Sequence, residues 1–302
     1  IFCFDANLIT RFCVYFKMDS IINLGIPHVG ELIFESIDTP ELVQCALVSE
    51  TWKVLAERVL LKRWKGRTFA LFEACRSGEA KVVQLLLEYC NNGNNQENQL
   101  NAGIKAAAIH GHKDVIKLLL NLSEGITINI NARDIFGNTP FMIACSCGHK
   151  DAVQMFLNYS DRNIEVNAID KRGKTALMDA CKNGHKDVVQ LLLDHSDIEV
   201  NAMDNRGETA LMHACEEGQE DVVKLLLDHS DSNHMVNAKD INGWTPFMKA
   251  YINKHKNVVK LLLDYSNVED TSIWKYYFVS KEIEDLIKNH PRKRQNDKCT
   301  VS

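Results

Sequence analysis

The chain has 302 residues, of which 45% are hydrophobic and 25% are charged, and its formal net charge at pH 7 is −5. This is the composition of an ordinary globular protein, and the negative balance argues against a nucleic acid as the main partner. Since no apolar run reaches the roughly 20 residues that a membrane-spanning helix needs, the sequence also predicts no membrane partner.

Residues 1–17 contain a short apolar run ahead of Met18. Asp5 and Arg11 interrupt the apolar stretch and no small-residue cleavage site follows, so the pattern disfavours a secretory signal. We interpret these residues as a leader or the end of a fragment.

Residues 18–66 show three apolar patterns typical of short helices. The first follows Pro27, the second begins at Thr39 as a suitable helix N-cap with Pro40 in the first helical position, and the third includes Trp52. Three helices in about forty residues bury too little apolar surface for a stable independent core. The segment therefore needs another surface, either the rest of the chain or a second protein.

This segment resembles the F-box family. Ile33-Phe34, Pro40-Glu41-Leu42, Val48 and Trp52 keep the family's register, with Val48 six residues after Leu42 and Trp52 four residues after Val48. The resemblance implies contact with the Skp adaptor of cullin-based ubiquitin ligases. It assigns that contact to Pro27, Leu32, Ile33, Leu42, Val48 and Trp52. The alternative is a helical cap that only covers the following part of the chain.

The most informative feature is a seven-residue phrase that occurs four times, beginning with Thr and carrying Met at its fourth position. Its copies begin at Thr139, Thr175, Thr209 and Thr245, at intervals of 36, 34 and 36 residues. A period of this size indicates a repeat protein in which each unit packs on its neighbours. Two weaker units precede these copies, so we predict about six repeats over residues 67–267.

Each unit has the pattern of two short helices. In the fourth unit, Thr175 is placed to cap the first helix and Gly184 to end it. Residues 188–193 are apolar almost all round, which predicts a second helix buried on both sides. A turn and an extended return complete the unit.

This arrangement resembles the ankyrin repeat family. The third unit matches the family pattern at Asp134, Gly137, Thr139 and Pro140, whereas Met replaces the family's His in all four copies of the phrase. The resemblance implies an all-α solenoid of helix-turn-helix units with a hairpin turn per repeat, preceded here by the small three-helix F-box-like domain. We expect residues 268–302 to form a terminal cap helix and a basic tail.

In such repeats the turns between units bind the target protein. By resemblance, the target-binding residues are Phe136, Asn138, Lys171, Arg172, Lys174, Asn205, Arg206, Glu208, Asn242 and Trp244, with Ile135 and Ile241 at the same turns. Large apolar side chains at a turn tip, such as Phe136 and Trp244, suggest contact with a partner; partial packing on the neighbouring turn is the alternative.

Four of the ten cysteines, Cys75, Cys145, Cys181 and Cys215, follow an alanine at one equivalent position of their units. A residue repeated in this way is expected to be a small core residue rather than a member of a disulfide. The absence of a secretion pattern then indicates a reducing environment, cytoplasmic or nuclear.

The sequence suggests no catalytic chemistry, and we predict no catalytic residue, cofactor or metal. Cys145, Cys147 and His149 are spaced like metal ligands, but the repeat already accounts for Cys145 and His149. One modification is conceivable by resemblance: Asn167 and Asn201 occupy positions similar to asparagines that are hydroxylated in ankyrin repeats.

Together these features predict a non-catalytic adaptor, monomeric before assembly, that brings an unknown target protein to a Skp and cullin complex. The alternative is a plain ankyrin-repeat scaffold or host-interaction protein.

Overall fold

The computed structural model describes residues 58–59, 70–89, 96–122, 128–159, 164–229, 236–265 and 281–289. The predicted leader, the six adaptor-binding residues of the F-box-like segment and the basic tail lie outside these ranges. Within them the only regular elements are helices, with one isolated β-bridge between Ile169 and Thr175 and no strand, which confirms the predicted all-α class for the described part of the chain. The longest apolar stretches of these helices are too short to cross a membrane.

Helices α1 to α12 occur as six pairs, and α13 follows the last pair. Their bounds are Ala70–Ser77, Ala80–Tyr89, Gln96–His110, Lys113–Leu120, Pro140–Ser146, Lys150–Asn158, Ala176–Lys182, Lys186–Leu193, Ala210–Glu216, Glu220–Asp228, Pro246–Ile252, Lys256–Asp264 and Lys281–Asn289. We number the pairs repeats 1 to 6.

The repeated threonines begin the first helix of repeats 3 to 6, as the sequence predicts. Each hydroxyl oxygen accepts a hydrogen bond of 3.3–3.4 Å from the backbone N–H of the methionine three residues later. This bond satisfies a helix N–H that would otherwise have no partner. The four donors are Met142, Met178, Met212 and Met248.

The chain divides into two compact units, Ile1–Ala106 and Ala107–Ser302. In the first unit α1 packs against α2, and Leu71, Ala74 and Cys75 are buried. Gly103 lies so close to Cys75 that a Cβ atom at that position would be 2.8 Å from the sulfur. Only a residue without a side chain fits there without a shift.

In the second unit, the helices form two layers. The first helices α5, α7, α9 and α11 pack in succession; the second helices α4, α6, α8, α10 and α12 form the other layer, and α13 packs against α12. The first helices contribute small buried side chains, among them Cys145, Cys181 and Cys215, so the prediction of core cysteines is confirmed. Small residues let the helices approach closely, while valine and leucine of the second helices fill the space between the layers.

In repeats 3 to 6, the side chain before the second helix forms a hydrogen bond to the preceding repeat. The Nε2 atom of His185 lies 2.9 Å from the carbonyl oxygen of Ser146, and His149, His255 and Gln219 make the equivalent bond. Gly148 allows the His185 ring this close, because a Cβ there would lie 2.5 Å from its Nδ1. Gly148 also has a φ of +76°, which favours glycine.

Candidate functional site

The candidate site is a row of four short hairpins that join successive repeats of the second unit. They comprise residues 133–138, 169–174, 203–208 and 239–244, and we call them the hairpin row. In each, an aspartate stands second and a glycine fifth.

The aspartate holds its hairpin closed. In the second hairpin, Asp170 Oδ1 accepts hydrogen bonds of 2.8 Å from the backbone N–H groups of Arg172 and Lys174. The backbone N–H of Asp170 donates to the carbonyl of Lys174 at 2.9 Å, and Gly173 takes a φ of +78°. Asp134, Asp204 and Asp240 repeat this pattern. The loop conformation is therefore set by internal bonds and needs no partner.

Neighbouring hairpins are also bonded to one another. The backbone N–H of Lys171 donates to the carbonyl of Phe136 at 2.9 Å. Asn205 donates to Arg172 in the same way at 2.9 Å, and Ile241 donates to Arg206 at 3.0 Å. The four hairpins therefore form one continuous row.

Eight of the predicted turn residues are exposed at the surface of this row. They are Ile135, Phe136, Lys171, Arg172, Asn205, Arg206, Ile241 and Asn242. These are the side chains that a partner placed along the row would meet first.

Two exposed apolar residues of the row were not predicted. Ile169 and Met203 each precede the hairpin aspartate and are about half exposed. The sequence did contain a clue, because Arg133 and Lys239 occupy the same position and charged residues at an equivalent site indicate a surface position. The predicted set contains only residues that follow the aspartate.

The prediction that Lys174 and Glu208 face a target is wrong, because both side chains are buried. The residue before the capping threonine lies beneath its hairpin rather than at the tip. The Lys174 ammonium lies 3.8 Å from the carboxylate of Asp179, and Glu208 pairs with Lys249. Burial lowers the pKa of Lys174 and raises that of Asp179.

The same position is half-buried in the first and last hairpins. The side-chain amide of Asn138 donates to Asp134 Oδ2 at 3.3 Å. Trp244 is partly covered, with the ammonium of Lys249 5.9 Å from its ring centroid. Trp244 is therefore a less accessible anchor than the sequence suggested.

A buried polar cluster lies beneath the third and fourth hairpins. Asp204 Oδ2 lies 3.3 Å from His213 Nε2, and the Lys249 ammonium pairs with Glu208 and lies 3.4 Å from Asp240. Burial and then the charge of Lys174 lower the pKa of His213 to about 4, against the opposing effects of Glu208 and Asp204. Although burial lowers the pKa of Lys249, its hydrogen bond to Glu208 and nearby carboxylates raise it overall.

The cluster includes the one arrangement of metal-ligating groups found among the described residues. Ligand atoms of Asp204, Glu208 and His213 lie within 4.8 Å of one another, and Glu208 Oε2 and His213 Nδ1 have no hydrogen-bond partner among the residues that the structure describes. The Lys249 ammonium already supplies the positive charge that a cation would bring, so we interpret the cluster as a polar contact between repeats.

The spacing of Cys145, Cys147 and His149 does not produce a joint site in the structure. Cys145 is buried, Cys147 is exposed, and His149 Nε2 lies 2.8 Å from the carbonyl oxygen of Ile109. Each residue therefore has a separate role in its repeat.

The two asparagines considered for hydroxylation differ in their contacts. The Asn167 side chain donates to the carbonyl of Asp197 at 2.6 Å and accepts from the backbone N–H of Glu199 at 3.0 Å. Asn201 is exposed. Because an enzyme would first have to break both bonds of Asn167, Asn201 is the more accessible of the two; hydroxylation itself stays a prediction.

Comparison with known proteins identifies the repeat. A family model described as ankyrin repeats (3 copies) matches residues 38–134, 106–204 and 196–272. The comparison with curated proteins gives no match.

Proposed function

This chain belongs to the ankyrin repeat family, whose repeats are protein–protein interaction modules, and we propose that it is a non-catalytic adaptor that holds a partner protein on the hairpin row. One observation carries the proposal. Six large hydrophobic side chains are exposed in the part of the chain that the structure describes, and five of them lie in the row. These five are Ile135, Phe136, Ile169, Met203 and Ile241. Apolar groups gathered on one surface are typical of an interface.

The rigidity of the row supports the same function. Its loops are held by Asp170 and the equivalent aspartates, and backbone hydrogen bonds join one hairpin to the next. A preordered surface loses little conformational entropy when a partner binds. The row therefore has the properties of a binding platform.

The test is capture of the natural partner by the full chain. We expect Phe136→Ser with Ile241→Ser to abolish capture, because both changes remove exposed apolar area from the row. The matched control is Ile109→Ser, since Ile109 is the one exposed large hydrophobic residue that the described part of the chain has outside the row. Equal capture by the double variant and the wild type would contradict the proposal.

A more specific role, as a substrate-recognition subunit of a Skp and cullin ubiquitin ligase, rests on the F-box-like register of residues 18–66. We propose that Leu42 and Trp52, with the other adaptor-binding residues of that segment, dock on a Skp adaptor while the hairpin row holds the target. The chain would then act by bringing the target close to the ligase, and its target stays to be identified. The family match begins at residue 38 and so includes part of this segment, which supports the alternative of a cap on the repeats.

Co-purification with a Skp adaptor separates these two roles. If the segment docks there, Leu42→Ala with Trp52→Ala abolishes co-purification and leaves the thermal unfolding of the repeats unchanged. If the segment is a cap, the wild type does not co-purify and the double variant lowers the unfolding temperature.

A further inference from the structure

We propose that the partner of the hairpin row is an acidic protein segment with apolar side chains, bound in an extended conformation along the row. This inference rests on the proposed function and specifies the chemistry of the partner.

The exposed charges of the row all have one sign. Every charged side chain that is exposed in the four hairpins is basic: Arg133, Lys171, Arg172, Arg206 and Lys239. The chain as a whole has a net charge of −5, so a wholly basic set departs from its average surface. A basic surface attracts acidic partners and disfavours basic ones.

The acidic side chains of the hairpins lie below this exposed surface and offset only part of its charge. Asp170, Asp204 and Asp240 are buried and Asp134 is half-buried, each bonded to backbone N–H groups of its own hairpin. Glu208 is buried against Lys249. Since the aspartates hold the loops from below and Glu208 is buried, the charges that a partner meets at the exposed surface of the row are cationic.

Several of these cations remain able to bind a carboxylate. Lys171 and Lys239 form no ion pair with any described residue. The Nε of Arg172 pairs with Asp170, and the Nε of Arg206 lies 3.6 Å from Glu208. The two arginine side chains are nevertheless about two-thirds exposed. Their terminal nitrogens are suited to paired hydrogen bonds with a carboxylate. Arg133 is less available for a partner than the other cations, because it pairs with Glu165, outside the row, at 3.3 Å.

The apolar residues distinguish a protein segment from a nucleic acid, which is also anionic. Four of the five exposed apolar side chains are aliphatic, and only Phe136 is aromatic. Single-stranded nucleic acids bind through cations together with aromatic rings on which bases stack. Aliphatic side chains of the row are better covered by apolar side chains, which a protein segment supplies between its carboxylates.

The order of the groups along the row favours an extended segment. Cations and apolar groups recur from hairpin to hairpin: Phe136 and Lys171 are joined by a backbone hydrogen bond, and so are Arg206 and Ile241. A partner that follows the row therefore meets both kinds of group in several successive repeats. Linear contact of this kind suits a chain segment more than a compact domain surface.

The experiment selects ligands for the full chain from a library of short random peptides. Selected peptides are expected to be rich in Asp and Glu interspersed with Leu, Ile or Phe. Their affinity is then measured for the wild type, for Lys171→Glu with Lys239→Glu, and for a control, Lys224→Glu with Lys260→Glu. The control lysines are exposed on the second helices α10 and α12, away from the row. Because each variant replaces two lysines by glutamates, both variants change the net charge equally.

We expect the row variant to weaken binding at least about tenfold and the control to leave it within about twofold. Selection of basic or uncharged peptides, equal losses in the two variants, or tighter binding of a single-stranded oligonucleotide would overturn the inference. The inference would also be overturned by a natural partner that has no acidic segment but no longer binds the variant Phe136→Ser with Ile241→Ser. That result would leave the proposed function in place.

Discussion

The Oδ2 atom of Asp204 lies 3.3 Å from the Nε2 atom of His213, and both side chains are almost completely buried within repeat 5. The same Asp204 closes its hairpin through Oδ1, which accepts from the backbone N–H groups of Arg206 and Glu208. One carboxylate therefore joins a hairpin of the row to the helix beneath it. This contact and the neighbouring Lys249 pair give the repeats testable properties.

Neutral His213 is expected to make stability depend on pH. Its pKa falls from 6.5 to about 4 on folding, so between these values the unfolded chain binds a proton that the folded chain does not. Its contribution to stability is fully present above pH 6.5 and is lost as the pH falls towards 4. His213→Gln should therefore show a smaller fall in unfolding temperature across this interval.

The control for this measurement is the wild type, unfolded over the same pH interval. An unchanged pH dependence in His213→Gln would show that His213 does not titrate as its surroundings suggest.

The pair of Glu208 and Lys249 is expected to matter more for stability than an exposed pair. Lys249→Met removes the nearest cation from the buried Glu208 carboxylate, at a cost of about 3 kcal/mol in the free energy of unfolding. Adding Glu208→Gln removes the charge and should recover part of the loss. Chemical denaturation measures the free energy of unfolding of the wild type, the single variant and the double variant. Lys186→Met breaks the exposed pair with Asp221 and should cost less than about 1 kcal/mol; equal costs for the two single variants would contradict this account.

Zinc is expected to leave the unfolding temperature of the wild type unchanged, although Asp204, Glu208 and His213 are close enough to suggest ligands. A bound metal would stabilise the folded state by mass action, but here it would have to displace the Lys249 ammonium. Thermal unfolding with and without excess zinc provides the test. A zinc-dependent rise that His213→Gln abolishes would reveal a metal site.

Gly148 and Gly243 separate two reasons for glycine in the repeat. Both have φ between +76° and +79°, but a Cβ at Gly148 would collide with the His185 ring, whereas one at Gly243 meets nothing within 4 Å. Gly243→Ala should cost about 1 kcal/mol from backbone conformation alone, and Gly148→Ala about 2–3 kcal/mol. The measurement is chemical denaturation, and equal costs would exclude a role for the close histidine.

The cysteines are expected to differ in reactivity. Burial raises the pKa of Cys145, Cys181 and Cys215, whereas Cys147 is exposed although partial burial raises its pKa as well. Since the thiolate is the reactive form, brief alkylation of the folded chain should modify Cys147 and spare the other three. Peptide mass spectrometry detects the label. Equal labelling of Cys147 and Cys181 would mean that the repeats open readily; denatured protein, in which all four react, is the control.

The repeated pattern was sufficient to predict the helical part of the fold. Thr175 caps its helix, Gly184 follows the end of that helix with a positive φ, and Cys181 is buried, as the sequence indicates. These features depend on short-range physics: a hydroxyl meets an N–H three residues away, and apolar residues recur at helical spacing. Because the seven-residue sequence recurs in four repeats, local helix preferences and the repeat period predict the same pair of helices in each repeat.

The accessibility of the hairpin residues could not be read in this way, because it depends on packing between repeats. Lys174 and Glu208 are charged and stand in a turn, which usually indicates exposure, yet the structure covers both. Glu208 finds its counter-charge on Lys249, 41 residues away, and no local pattern connects the two. Ile169 and Met203, apolar and thus expected inside, are exposed instead. Burial is decided by which side chains the neighbouring repeat places above a residue, and that neighbour comes into contact only when the chain folds.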